Sequence, residues 1–270
     1  MESTAKAAKV QKLLAEFGSV LVALSGGVDS SLLLKLAVDA LGPSRVLAVT
    51  ARSESTTAEE IEMAACVAGI CGAAHRVVSV SDLEIPEIAA NPPDRCYHCQ
   101  RNRFRLLCNI AENEGINIVV DGSNQSDQGD YRPGRRALTE LAVRSPFKEC
   151  GLTKDDIRQL SRALGLPNWN RPANACLASR FPYGTPITAA DLSRVADGEK
   201  LILSLGLTQC RLRHHGAIAR IEVPLKECPV LLEPGINKKL VDGIKQLGYT
   251  YVTLDLQGYR TGSLNEVITA

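Results

Sequence analysis

The sequence predicts an α/β protein: a doubly wound parallel sheet over residues 1–180, then a small α+β domain over residues 181–270. Three observations predict it. Short β-branched runs alternate with helix-period runs through the first half, the pattern of right-handed crossovers into a parallel sheet. Residues 165–186 break that rhythm with Pro167, Pro172, Pro182 and Pro186, and read as an irregular, site-forming connection. Beyond them the order becomes helix, two adjacent strands, helix and strand, with no repeat or low-complexity tract.

Taken in order, the chain opens on an amphipathic helix pattern. Residues 19–24 and 45–50 are buried strands rich in Val, Leu and Ala. Between them, residues 30–41 place Leu32, Leu33, Leu36 and Ala37 at helical spacing, and Gly42-Pro43 stops the helix. Residues 57–70 form the next helix, with Thr57 as cap and Glu59 and Glu60 at its positive end. A third strand spans 75–80, a helix runs from near Gln100 to Gly115, and a fourth strand spans 116–121. Thr153, with Asp156 three residues on, opens a helix over 153–164. The later strands fall at 209–214, 217–223 and 249–254. Ligands of such sheets bind beyond the carboxyl ends of the strands.

Composition narrows the partners. The net charge of +1 and an aromatic content of 4% favour a small anionic ligand over DNA or RNA. No apolar run approaches the roughly 20 residues that span a bilayer, and the amino terminus lacks a secretory pattern. The expected location is the cytoplasm, with no membrane partner. Nine cysteines there point to metal or thiol chemistry rather than to a disulfide framework.

Ser25-Gly26-Gly27-Val28-Asp29-Ser30 lies directly after a strand and before a helix. Two glycines let the backbone turn sharply and bring N–H groups against phosphate oxygens, and the helix start adds its positive end. Ser25, Ser30 and Ser31 offer hydroxyl donors, and Asp29 can help to hold a phosphate-bound Mg²⁺. The chain has no Gly-Lys dipeptide, which excludes a Walker-type loop, and it lacks the three-glycine dinucleotide fingerprint. The hexapeptide resembles the loop of the PP-loop (HUP-like) ATP pyrophosphatases. That resemblance implies ATP cleaved between the α- and β-phosphates to adenylylate a substrate oxygen. Asp121-Gly122-Ser123-Asn124 resembles their second nucleotide motif, with Gly122 at the nucleotide and Asp127 and Asp130 near Mg²⁺.

Cys96-Tyr97-His98-Cys99 has metal-ligand spacing, and Cys176 stands alone in the irregular connection. By itself a Cys-x-x-Cys is a redox pair, half a zinc site or two inert thiols. Cys66, Cys71 and Cys108 sit in helical patterns and are expected in the core. Cys150, Cys210 and Cys228 have no partner at ligand spacing.

Residues 144–184, with Asp130-Tyr131-Arg132-Pro133-Gly134 and Tyr251-Val252-Thr253-Leu254-Asp255-Leu256, closely resemble the LarE family. These are the PP-loop sulfur transferases of nickel-pincer nucleotide cofactor biosynthesis. The resemblance implies that ATP activates a carboxylate of pyridinium-3,5-biscarboxylic acid mononucleotide and that sulfur then replaces the activated oxygen. It implies a sulfide or other sulfur donor and a hexamer. Cys176 matches the cysteine that some members sacrifice as sulfur donor. With Cys96 and Cys99 present, the chain resembles the branch in which all three hold a [4Fe–4S] cluster, leaving one iron open for sulfide.

Arg211 and Arg213 alternate on a strand and share a face suited to a phosphate, where the family also places the mononucleotide phosphate. Arg180 can neutralise the substrate carboxylate or the leaving adenylate. Glu199 and Glu222 match acidic family positions, and His214 and His215 point to opposite faces. Two other readings keep the same loop. One is a tRNA thiolase or an NAD or GMP synthetase; the other is a nucleotide sensor or metal-binding scaffold without turnover.

Overall fold

The computed structural model describes residues 2–127, 133–172, 175–260 and 262–266. It divides into two compact units, Met1–Asp82 with Asp94–Asn174, and Leu83–Pro93 with Ala175–Ala270. The second unit thus starts at Ala175 rather than at residue 181, and it also takes a short excursion of the chain from between the third strand and the helix that follows.

The chain runs through α1 (Glu2–Phe17), β1 (Val20–Ala23), α2 (Val28–Leu41), β2 (Val46–Arg52), α3 (Ala58–Cys71) and β3 (Ala74–Ser79). It continues with α4 (Pro86–Ala89), α5 (Arg95–Asn113), β4 (Ile118–Val120), α6 (Gly134–Glu140), α7 (Pro146–Glu149) and α8 (Lys154–Ala163). Then come α9 (Ala189–Ser204), β5 (Arg211–His215), β6 (Ile218–Glu222), α10 (Pro234–Gln246) and β7 (Tyr251–Leu254).

In the first unit the four strands are parallel, in the order β3-β2-β1-β4. Successive residues of β1 face opposite sides. Val20 and Val22 join Leu14, Leu33, Leu36 and Ile157 in one core, whereas Leu21 joins Phe104, Leu107 and Val119 in another. Helices therefore cover both faces, as a doubly wound sheet requires. The strand order reverses at β1, with β2 on one side and β4 on the other. Ligands of open α/β sheets bind beyond the strand ends at such a switch point.

The helix expected from near Gln100 starts at Arg95. Cys96-Tyr97-His98-Cys99 has no aliphatic repeat and follows Pro92-Pro93, so periodicity does not reveal this first turn. Its anchor is Tyr97, buried beneath the Arg136 guanidinium 3.6 Å from its ring, with its hydroxyl donating to Glu140 at 2.7 Å. Thr57 with Glu60, and Thr153 with Asp156, close reciprocal capping boxes on α3 and α8. Each such cap contributes about 1 kcal/mol.

The second unit is a three-stranded mixed sheet, β5-β6-β7, antiparallel between β5 and β6 and parallel between β6 and β7. Val195 and Ile202 of α9 and Ile244 of α10 pack with Leu212 and Ile221 to form its core. The excursion around α4 is tied in by backbone bonds from Gly184 N–H to Asn91 O and from Ile187 N–H to Ala89 O, both 2.8 Å. Fully buried Asn91 also donates from Nδ2 to Pro182 O at 2.8 Å. Among the described residues no helix is long and apolar enough to cross a membrane.

Candidate active site

The site begins where β1 ends. Gly26 has φ +75°, and a Cβ there would meet Glu60 O at 2.5 Å, so only glycine fits both the turn and the neighbouring helix. Ser30 Oγ accepts from Ser25 N–H and donates to Gly27 O, each at 3.2 Å, which closes the loop on itself. Gly27 caps α2 without a side-chain bond, leaving the first helical N–H groups available to an anion. Ser31 departs from expectation: it is fully buried and its Oγ accepts from Asn168, so it faces the core rather than a ligand.

The loop after β4 packs directly on this one. A Cβ on Gly122 would lie 2.9 Å from Ser30 N and 3.1 Å from Asp29, so glycine permits the close approach. Asp121 accepts from Ser145 Oγ at 2.5 Å and from Ser123 N–H at 3.2 Å, which fixes the turn. Asn124 Nδ2 donates to Asp29 Oδ1 at 3.1 Å, and Lys154 Nζ donates to Asp29 Oδ2. Asp29 therefore stands between an amide and a cation at the positive start of α2. Asp130 and the side chain of Asp127 lie outside the described residues.

Sequence reasoning missed Lys154 and Asn168. Lys154 follows the cap Thr153 and looks like any first-turn lysine; only the fold brings it to Asp29. Lys154 and Asp29 side chains are each 26% exposed, so the pair is partly solvated and contributes at most about 1 kcal/mol.

Cys96 and Cys99 stand one helical turn apart in the first turn of α5, both half-buried. Cys99 Sγ donates to Asp82 Oδ2 at 3.6 Å. Asp82 also accepts from Arg103 Nε at 3.1 Å, and Arg103 Nη2 donates to Ser53 and Ser55 hydroxyls at 2.6 and 3.0 Å. This network links the cysteine helix to the loop after β2. None of the nine cysteines is in a disulfide. Burial pushes the Cys71 thiol up to about 11 and raises Cys108, as expected of core cysteines. Cys66, expected in the core, is exposed: its position on α3 turns outward.

In the second unit Cys176 is exposed and precedes a short 3₁₀ turn, Leu177–Arg180. Arg180 is only 1% exposed. It grips Glu199 through Nε and Nη2 at 2.8 and 2.9 Å, and its Nη1 donates to Ala175 O at 2.6 Å and Cys176 O at 3.1 Å. Burial works against the Arg180 charge, but the bonds to Glu199 outweigh it and hold the guanidinium above its ordinary value. Each nitrogen of the Arg180 guanidinium thus already has a partner in Glu199 or in the backbone around Cys176.

Arg211 and Arg213 share a face of β5 as their alternation predicts, and both are buried. Arg213 is held by Glu222 at 2.9 and 2.7 Å and donates to Ser179 O at 2.8 Å. Arg211 donates to Cys210 O at 2.7 Å and lies over the Tyr259 ring; burial, then the nearby Arg180 charge, lower its guanidinium from the ordinary value. Glu222 is fully buried, and it and Glu199 are internal partners rather than surface carboxylates. Buried ion pairs rarely stabilise more than apolar packing would, which makes this arginine–glutamate group a candidate for a role beyond stability. His214 donates or accepts at Tyr249 Oη, 3.0 Å away, while His215 on the opposite face is exposed.

Among the described residues no three His, Cys, Asp or Glu side chains gather as a metal site. Cys96 and Cys99 belong to the first unit and Cys176 to the second. Cysteine sulfur is the donor type that soft metals prefer; Cys96 and Cys99 sit at helical i, i+3 spacing, and Cys176 is exposed.

The NAD synthase family model matches residues 5–128, the part that builds both nucleotide loops. The chain is 30% identical over 154 residues to the NH(3)-dependent NAD(+) synthetase of Chlorobaculum tepidum, covering 56% of this chain and 54% of that one. Other relatives match through both units. An uncharacterised protein of Synechocystis is 42% identical over 264 residues, 98% of each chain. The pyridinium-3,5-bisthiocarboxylic acid mononucleotide synthase of Lactiplantibacillus plantarum is 40% identical over 264 residues, 98% of this chain and 95% of that one.

Proposed function

The chain belongs to the LarE family of PP-loop enzymes, and on that footing we propose that it is an ATP-dependent sulfur transferase. Its substrate is a carboxylate of pyridinium-3,5-biscarboxylic acid mononucleotide, which it converts to a thiocarboxylate. The observation that carries this reading is the pair of loops at the β1/β4 switch point, Ser25–Ser30 with Gly122, joined to a relative that matches the chain from end to end.

The proposed mechanism begins with ATP phosphates against the N–H groups of Ser25–Ser30. Asp29 would hold the Mg²⁺ that accompanies them, and Lys154, released from Asp29, would neutralise the polyphosphate. The substrate carboxylate attacks the α-phosphorus, the α–β bond breaks, and pyrophosphate leaves with the metal. Sulfide then adds to the activated carbonyl carbon, AMP departs with one former carboxylate oxygen, and the thiocarboxylate remains. Arg211 and Arg213, in the second unit, bind the mononucleotide phosphate in this scheme, and Arg180 keeps the backbone carbonyls at Cys176 in place.

Cys96, Cys99 and Cys176 would hold a [4Fe–4S] cluster, whose open iron supplies a sulfide nucleophile when bound. A reducing cytoplasm and a homo-oligomer, a hexamer by family resemblance, suit this chemistry. The exposure of Cys176 also favours a second reading, in which Cys176 itself surrenders its sulfur. Iron and labile sulfide assays after anaerobic purification, with the mass of the chain after turnover, decide between them. The cluster reading expects bound iron, many products per chain and an unchanged Cys176. An iron-free chain that loses one sulfur atom per product would establish the sacrificial route.

Lys154→Met is expected to lower AMP release by about 10- to 100-fold and to raise the KM for ATP, because one cation at the polyphosphate is lost. Rapid-quench measurement of AMP checks it; a rate within twofold of wild type would remove Lys154 from the nucleotide site.

A further inference from the structure

Asn168 is 2% exposed, in the turn that follows α8, and it reaches 142 residues back along the chain to Gly26. Its Nδ2 donates to Gly26 O at 2.9 Å and to Ser31 Oγ at 2.8 Å. Its Oδ1 is buried and, among the described residues, has no hydrogen-bond partner. An amide used only as a double donor, with its acceptor unpaid, is a poor choice for stability alone. Turning it over would set Oδ1 against the Gly26 carbonyl, so only one orientation fits.

The consequence lies in the peptide between Gly26 and Gly27. That unit is planar and trans, so its carbonyl and its N–H point in opposite directions. Gly26 is buried while Gly27 is half-buried and Ser25 exposed. Holding Gly26 O against Asn168 therefore turns Gly27 N–H toward the open side of the loop, where it meets Ser25 Oγ at 3.3 Å. Two glycines flank this peptide, and glycine backbone rotates with little resistance. Apart from the 3.3 Å bond from Gly27 N–H to the exposed Ser25 side chain, none of the loop's own described bonds orients this peptide, since Ser30 Oγ bonds Gly27 O and Ser25 N instead. The turn carrying Asn168 is itself anchored, by buried Leu166 and by Arg162 over the Trp169 ring at 5.0 Å.

We infer that Asn168 is a positioning residue for phosphate binding: it fixes the Gly26–Gly27 peptide so that Gly27 N–H faces the nucleotide's phosphates. This rests on the reading of Ser25–Ser30 as the ATP loop. A donor aimed before the anion arrives stabilises it without reorganisation, and a misplaced donor loses that advantage.

The test compares Asn168→Leu, which keeps the side-chain volume but cannot donate, and Asn168→Asp, which loses both amide donors, with wild type. Affinities for ATP and for adenosine are measured on the full chain, together with AMP release and thermal unfolding. Adenosine affinity is expected to stay within about twofold, while ATP binding and AMP release each fall about tenfold or more. The unfolding temperature should move by no more than about 5 °C for a change of this size. A variant with wild-type preference for ATP over adenosine and wild-type AMP release would overturn the inference. Equal loss of both ligands would overturn it too, as a general structural effect. If Asn168→Leu fails to fold, Asn168→Asp, which keeps every heavy-atom position, carries the same comparison. A wild-type protein that binds ATP but makes no AMP would defeat the proposed function, while the ATP-to-adenosine ratio would still judge Asn168.

Discussion

Asp29→Ala is expected to lower formation of AMP and pyrophosphate by about 10³-fold. The carboxylate stands at the positive start of α2, between Asn124 Nδ2 and Lys154 Nζ, and beside the backbone that Gly122 touches. Removing it takes away the proposed ligand for Mg²⁺ and the partner that orients Lys154. Losing one electrostatic element of a preorganised site costs roughly 10²–10³-fold, and here two are coupled. The fold should tolerate the change, because the Lys154 pair is partly solvated. Asp29→Asn should be almost as inactive, since it keeps the bond geometry but not the charge. Quenched-flow assay of AMP on both variants measures this; retention of a tenth of wild-type rate in Asp29→Ala would remove Asp29 from the chemistry.

Cys176→Ala separates the two halves of the reaction. Thiocarboxylate formation should fall below detection, while AMP and pyrophosphate appear within about threefold of the wild-type rate. The reason is local. Arg180 holds Ala175 O and Cys176 O, main-chain atoms that an alanine also supplies, and the Cys176 side chain is exposed. Shortening it leaves no cavity and breaks none of the bonds that shape the turn. Asp29, Lys154 and Ser25–Ser30, the residues proposed to serve adenylylation, belong to the first unit, whereas Cys176 belongs to the second. Parallel assays of nucleotide and sulfur products check the split, and equal loss of both would mean that Cys176 also serves the first step.

The sheet of the first unit was legible because its strands are continuous buried runs and its helices carry strong signals. Val20–Ala23 lies in the middle of the parallel sheet, and both capping boxes follow from residues three apart. The Ser25–Ser30 loop was equally visible, being one contiguous segment between a strand and a helix. What remained hidden depends on distance along the chain. Lys154 meets Asp29 across 125 residues, and Asn168 meets Gly26 across 142, so no local pattern can announce either. The start of α5 was missed because its first turn is anchored by Tyr97 through polar and cation–π contacts rather than by aliphatic spacing. Ser31 and Cys66 illustrate the same limit: residue type suggested a ligand donor and a core thiol, and helix rotation decided otherwise. Arg180 and Arg213 were visible as charges but not as buried partners of Glu199 and Glu222, because pairing between elements is set by tertiary packing.

The central claim is that ATP is spent to make a carboxylate oxygen a leaving group for sulfur. It is tested most directly by supplying the pyridinium dicarboxylate mononucleotide with ¹⁸O in its carboxylates, together with ATP, Mg²⁺ and sulfide. The account predicts one ¹⁸O in the AMP formed for each thiocarboxylate, and none in pyrophosphate. Thiocarboxylate formed with unlabelled AMP, or ADP and phosphate in place of AMP and pyrophosphate, would contradict it.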